Sequence, residues 1–167
     1  MNKSVKVITL AIGLAIPTVG YFEGRHLLAY LDPVGIPTIC DGWTKGVKLG
    51  DTATPAQCDL WTIQALEEAE RIFDQAVPEP IRSSISPTSK ASFLSFIYNV
   101  GPGKPGVKDG FIWLKDGRNS TMVQLLRQGR VAEACRQLPL WASAAGKRLN
   151  GLVLRRAAEL QLCEAKL

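Results

Sequence analysis

From Asp32 to Gly42 the chain reads Asp-Pro-Val-Gly-Ile-Pro-Thr-Ile-Cys-Asp-Gly, and no long helix can cross such a run. Pro33 crowds the residue before it out of the helical region. Gly35 and Pro37 follow, and Asp41-Gly42 is a turn pair. The pattern predicts a helix running up to about Ala29, then a short hairpin-rich segment holding Thr38, Ile39 and Cys40. A small β unit is thus forced into a chain whose other periodic segments are helical.

Three chemically capable side chains flank this break at fixed intervals: Glu23, Asp32 nine residues on, and Thr38 six further. Glycoside hydrolysis needs one carboxyl held protonated to donate to the leaving oxygen and a second kept ionised near the developing positive charge. An inverting enzyme also needs a group that holds water on the far face of the sugar. With Glu23 on a helix and Asp32 and Thr38 on the adjoining sheet, two carboxylates can face each other across a cleft. An isolated pair at this spacing is more often a solvated Glu and Asp beside an ordinary turn. The wider run, Glu23-Gly24-Arg25, Ala29-Tyr30-Leu31-Asp32-Pro33-Val34-Gly35 and Pro37-Thr38-Ile39, resembles the catalytic signature of phage-type lysozymes. That signature places Glu, Asp and Thr with eight and then five residues between them.

Composition bounds the rest. At 167 residues, with 46% hydrophobic and 21% charged side chains, the chain is globular, and it is one domain or one domain with two lobes. Its single histidine, His26, cannot build a zinc hydrolase site with two or three imidazole ligands, and no Cys-x-x-Cys pair substitutes. A Cys40–His26 amidase pairing is the weaker alternative, His26 reading rather as a helix-surface residue. Residues 1–83 carry 7 Lys/Arg against 10 Asp/Glu, and residues 84–167 carry 13 against 5. The basic half suits a polyanionic partner: nucleic acid, anionic lipid or the carboxylate-bearing peptides of bacterial cell wall. Cys40, Cys58, Cys135 and Cys163 allow two disulfides in an oxidising compartment, or four thiols in the cytosol. The two local pairings, Cys40–Cys58 and Cys135–Cys163, are the expectation among the three that four cysteines permit.

Lys3 and Lys6 precede an almost uncharged run from Val7 to Phe22, interrupted by Gly13, Pro17 and Gly20. It is short for a membrane span, which takes about 20 apolar residues, and it lacks a convincing cleavage site. Three readings stand: a buried helix packed under the catalytic segment, a segment resembling the signal-arrest-release tether of some phage endolysins, or a cleaved signal peptide. The last would cut almost at Glu23.

Farther on, Thr54-Pro55-Ala56-Gln57 opens a helix with an N-cap, a proline at the first position and a glutamine three residues after the cap. Leu60, Ile63, Leu66, Ala69, Phe73 and Ala76 carry it to about Ala76, and Pro78 and Pro80 end it. A second helix starts at Ser86-Pro87, with Phe93, Phe96, Ile97 and Val100 on one stripe, and stops at Gly101. Residues 102–120 read as a lengthened loop whose Phe111 and Trp113 serve as buried anchors or stack on sugar rings. Helical stretches follow over 120–127 and 131–138. The string from Phe96 to Gly101 and the block from Trp141 through Arg155, Arg156 and Glu159 again resemble phage endolysins, so the likeness covers roughly 21–58 and 91–163. It departs at Trp43, where many relatives have histidine, and at Asp41, a third carboxylate expected to point to solvent.

The resemblance implies an α+β, mostly helical, lysozyme-like fold: a small β-hairpin lobe and a helical lobe joined by a long helix, with the active-site cleft between. The expected organisation is an N-terminal apolar helix over 1–22, a weak membrane anchor on the tether reading, and a catalytic domain over 23–167. The domain divides into a β lobe (23–54), a connecting helix (55–77) and a helical lobe (78–167). By the same resemblance the chain is an endolysin cleaving the β-1,4 bond between N-acetylmuramic acid and N-acetylglucosamine. Glu23 is the general acid, Asp32 the anionic partner and Thr38 the residue that positions water, with Asn99 and Tyr30 as saccharide contacts. No metal and no cofactor are expected, and the chain is read as a monomer. Its partner is bacterial peptidoglycan, with the host inner membrane a further partner through 1–22, and nucleic acid is not one. It would be made in the host cytoplasm and act in the periplasm. A lytic transglycosylase and a non-enzymatic membrane- or wall-binding module are the competing readings.

Overall fold

A computed structural model describes residues 8–32, 34–144 and 146–165. The first element, α1 (Leu10–Glu23), is capped by Thr9, whose hydroxyl accepts from Ile12 N at 3.3 Å. Residues 1–7 of the apolar N-terminal segment lie outside the described residues. One face of α1 buries Ala11, Ile12, Ala15 and Val19, while Leu10 and Tyr21 stay exposed. Among the described residues no helix is long and apolar enough to cross a membrane.

The helix stops at Glu23, well before the predicted Ala29. Gly24 takes φ +66°, a left-handed conformation that a Cβ penalises, and the chain turns there into a strand. That strand, β1 (His26–Leu31), pairs antiparallel with β2 (Pro37–Cys40), placing Tyr30 opposite Thr38 and His26 opposite Cys40. His26 therefore sits on a strand rather than a helix, exposed and packed against the Tyr30 ring at 4.5 Å.

The long α2 (Pro55–Ala76) begins as its sequence dictates. Gln57 N donates to Thr54 Oγ1 at 3.3 Å, Thr54 N donates to Gln57 Oε1 at 2.8 Å, and Pro55 opens the helix. Its first turns close a small core under the hairpin, where Cys58 and the partly buried Trp61 join Ala29, Ile39, Cys40 and Ala53. Its later turns bury Leu66, Ala69, Phe73 and Ala76 in the main core. A single helix thus belongs to two hydrophobic clusters and fixes one against the other.

After a short α3 (Ile81–Ser84), α4 (Pro87–Val100) is buried almost all round, not on one stripe as the apolar spacing suggests. The reason is polar. Ser89, Ser92 and Ser95, three residues apart, face the last helix, α7 (Asn150–Glu164), and donate to Cys163 O, Glu159 O and Glu159 Oε1 at 2.7, 2.6 and 2.8 Å. Small hydroxyl side chains let two helices approach while satisfying buried acceptors.

The 101–120 segment is irregular, and it anchors Phe111 in the core against Phe73 and Phe93, leaving Trp113 partly exposed. Ser120 caps α5 (Thr121–Arg127). The predicted 131–138 helix is shorter, α6 (Val131–Cys135), and a 3-10 turn covers Leu138–Leu140. A two-residue hairpin of β3 (Ser143–Ala144) and β4 (Lys147–Arg148) leads into α7. Disulfides join Cys40 to Cys58 and Cys135 to Cys163, the two local pairings.

Candidate active site

Glu23 closes α1 where the hairpin lobe meets the helical lobe. Its side chain is 21% exposed, and Arg155 Nη1 of α7 donates to its Oε1 at 2.5 Å. Arg155 is itself buried. Its Nε donates to Glu159 Oε1 at 3.1 Å, and Nη2 donates to Ser95 O at 3.3 Å. Glu159, fully buried, also pairs with Arg156, which reaches on to Asn99 Oδ1 and Trp141 O. The guanidinium on Glu23 is thus shared between two carboxylates and locked by a network of charge-assisted hydrogen bonds. Burial lowers the proton affinity of Arg156 below the usual guanidinium value, against the pull of Glu159.

Asp32 follows β1 directly. Its Oδ1 accepts from Val34 N and Ile36 N at 2.9 and 2.8 Å, an Asx-type cap that shapes the turn. Oδ2 has no hydrogen-bond partner among the described residues. Thr38 is buried on β2, and its hydroxyl donates to Ile36 O at 2.9 Å. Tyr30 links the pieces. It lies opposite Thr38 in the register, and its phenol is raised above the ordinary tyrosine value by burial first, then by the charges of both Glu23 and Asp32.

Asp41 does not point to solvent as the sequence suggests. It is 1% exposed. Cys40 before it has φ +58°, a left-handed step that costs a non-glycine residue about 1–2 kcal/mol. That step breaks strand alternation, so Thr38, Ile39, Cys40 and Asp41 are buried in succession. Arg25 donates to Asp41 Oδ1 and Oδ2 at 3.1 and 2.7 Å, and Thr62 of α2 donates to Oδ2 at 2.7 Å. The Asp41 hydrogen bonds, with Asp59 at 2.8 Å, raise the Arg25 guanidinium above its usual value despite partial burial. Tyr98 of α4 donates to Asp41 O. Its phenol is pushed up by burial and then by the Glu23 and Asp41 charges, so it stays a donor. Gly42 comes next at φ +96°. A Cβ there would stand 3.4 Å from Glu23 Oε2, in ordinary van der Waals contact, so Gly42 lies close beside the carboxyl.

A cavity of about 260 Å³ runs from Gly42, Trp43 and Tyr98 to Pro102, with Lys45 and Glu68 paired at 3.0 Å on its edge. Trp43 stacks on Trp61 at 5.8 Å, 7° from parallel. A second cavity of about 350 Å³ is lined by Asn99, Asp109, Trp141 and Arg156. Among the described residues no cluster of His, Cys, Asp and Glu is placed to hold a metal.

Sequence reasoning brought forward Glu23, Asp32, Thr38 and Tyr30, which the fold gathers around one hairpin and one helix end. Asn99 lies apart on α4 as an acceptor for Arg156 and borders the second cavity. Arg155, Arg25 and Thr62 were missed as site residues. The one available signal was charge: Arg155, Arg156 and Glu159 fall on one helix at three- and four-residue spacing, which suits a buried ion network as well as a solvated face.

A helical lobe and a β hairpin meeting at a glutamate define the fold of a phage lysozyme, and the chain belongs to that family: the phage lysozyme family model matches residues 20–159. It is therefore a glycoside hydrolase-type enzyme. The chain is 36% identical to a SAR-endolysin of Pseudomonas phage phiKMV, over 98% of this chain and 92% of that one. It is 34% identical to a SAR-endolysin of Enterobacteria phage PA-2, over 84% and 76%. The crystal structure of the active form of P1 phage endolysin Lyz superposes with a TM-score of 0.76 at 24% identity, covering 90% and 82%. The α+β lysozyme-like fold is thus shared with solved endolysins.

Proposed function

We propose that this chain is an endolysin that hydrolyses the β-1,4 bond between N-acetylmuramic acid and N-acetylglucosamine in bacterial peptidoglycan. The observation that carries it is Glu23 at the end of α1, held by Arg155 and bordering the hairpin on which Tyr30 pairs with Thr38 and from which Asp32 follows. Glu23, set between Arg155 and the Gly42 backbone, donates the proton to the leaving oxygen. Asp32, with Oδ1 committed to its turn, offers Oδ2 to the oxocarbenium-like state and to the attacking water, which Thr38 orients. Tyr30 lines the path of the glycan beside the acid, and Asn99 contacts it farther off, at the second cavity. Inversion follows if the two carboxyl groups stand in the wider separation class, about 6.5–9.5 Å apart.

The deciding experiment is Glu23→Gln assayed on purified cell walls. General acid catalysis contributes about 10²–10⁴-fold, so turnover should fall by that factor while the fold persists. Near-normal turnover overturns the reading. Mass spectrometry of the wild-type products separates it from a transglycosylase, whose anhydro product is lighter by one water.

The N-terminal segment acts as a transient tether to the inner membrane before the enzyme works in the periplasm. The names of the SAR-endolysin relatives support this, and so does the geometry: α1 ends on Glu23, so drawing α1 into lipid withdraws the proton donor from Arg155 and Gly42. Membrane fractionation with and without depolarisation tests it, and a product that never enters membranes refutes it.

A further inference from the structure

We propose that Asp41 is the positioning residue of the site: clamped by Arg25, Thr62 and Tyr98, it fixes the Gly42 turn beside the Glu23 carboxyl. The inference rests on Glu23 being the proton donor. Three donors converge on the buried Asp41 carboxylate, two from Arg25 and one from Thr62, while Tyr98 takes its carbonyl. Arg25 lies two residues beyond Glu23, Thr62 sits on α2 and Tyr98 on α4. Asp41, by its side chain and its carbonyl, therefore ties the segment after α1, the long α2 and α4 to a single residue.

The next residue in the chain lies beside the acid. At Gly42, the position of a Cβ falls 3.4 Å from Glu23 Oε2 and 3.9 Å from Tyr98 Oη. Across the carboxyl, Arg155 holds Oε1. One oxygen is thus fixed by a cation from the helical lobe, and the other lies beside a turn that Asp41 fixes from the β lobe. The Arg25–Asp41 pair, with a buried carboxylate but a guanidinium 34% exposed, adds little stability by itself. What the clamp supplies is orientation, and a displacement of about 1 Å at a reacting group costs on the order of 10²-fold in rate.

The test is Asp41→Asn in the full-length chain on peptidoglycan, with kcat and KM measured separately and folding followed by thermal melting. Asparagine keeps the volume and an acceptor for Thr62 but loses the charge pairing with Arg25. The expected result is kcat lower by about 10–100-fold with KM within about twofold. A companion pair guards against misfolding: Thr62→Val should lower kcat in the same sense, and Thr62→Ser, which restores the hydroxyl, should recover it. Wild-type kcat in Asp41→Asn, or a loss confined to KM, overturns the proposal. Glu23→Gln in the same assay keeps the two claims apart. Activity there overturns the acid assignment itself, whereas its loss beside an unimpaired Asp41→Asn overturns only the positioning role.

Discussion

Arg155 donates to Glu23 Oε1 at 2.5 Å across 132 positions of sequence, joining the last helix to the end of the first. The pair sets one side of the site, and its partner Glu159 makes it part of the core as well. Four expectations follow from this arrangement and its neighbours.

Replacing Arg155 with alanine removes the cation from Glu23 and one of two guanidinium partners from the buried Glu159. Breaking a buried pair costs about 3–5 kcal/mol, and the lower end applies because Arg156 remains. Denaturant melts should show that loss, and turnover should fall with it. Arg155→Lys, which keeps the charge without the fork, should lie between. A variant as stable and active as the parent would contradict the network.

Gly42→Ala meets both a left-handed backbone and the Glu23 carboxyl. The backbone alone should cost about 1–2 kcal/mol. Because the new methyl stands against Oε2, kcat should drop about 10-fold or more at temperatures where circular dichroism reports a folded chain. A melting shift without a kcat effect would place Gly42 in the scaffold only.

The two disulfides close loops of 18 and 28 residues. Loop-closure entropy assigns each about 3 kcal/mol, which for a chain of this size is about 6–12 °C in Tm. Paired Cys→Ser variants should show losses in that range. Only the Cys40–Cys58 pair should also depress activity at 25 °C, since Cys40 carries Asp41 into the interior.

Tyr98 gives a signed pH dependence. Burial and the nearby Glu23 and Asp41 charges raise its phenol above the ordinary value. In the unfolded chain the phenol releases its proton near pH ~10, while in the folded chain it stays protonated beyond that. The unfolded state then binds fewer protons, so stability falls as pH climbs past ~10. Below that pH the contribution is fully present. Chemical melts from pH 8 to 11 should show the decline, and Tyr98→Phe should flatten it while losing about 1 kcal/mol for the hydrogen bond to Asp41 O.

Much of the architecture was legible in the chain because it is local physics. Thr54, Pro55 and Gln57 build the start of α2, and Ser86 with Pro87 starts α4, because caps and a fixed proline φ act within one turn. The proline- and glycine-rich run after Asp32 reads correctly as a hairpin for the same reason. The end of α1 was misplaced by about six residues, since Gly24 decides it and the apolar letters after it fit strand as well as helix.

By itself the sequence singled out Glu23, Asp32 and Thr38 as candidates for the chemistry, and it determined the breaks that set them on a helix end and a hairpin. Only the tertiary structure decided what surrounds them. The spacing of Asp41 does not say which way its side chain turns; the left-handed Cys40 and the donors on Arg25 and Thr62 turn it inward. Nor does the pattern of α7 name Glu23 as a partner for Arg155. That meeting depends on how α1, α4 and α7 pack around one another, and a packing angle belongs to the whole core, not to any single segment.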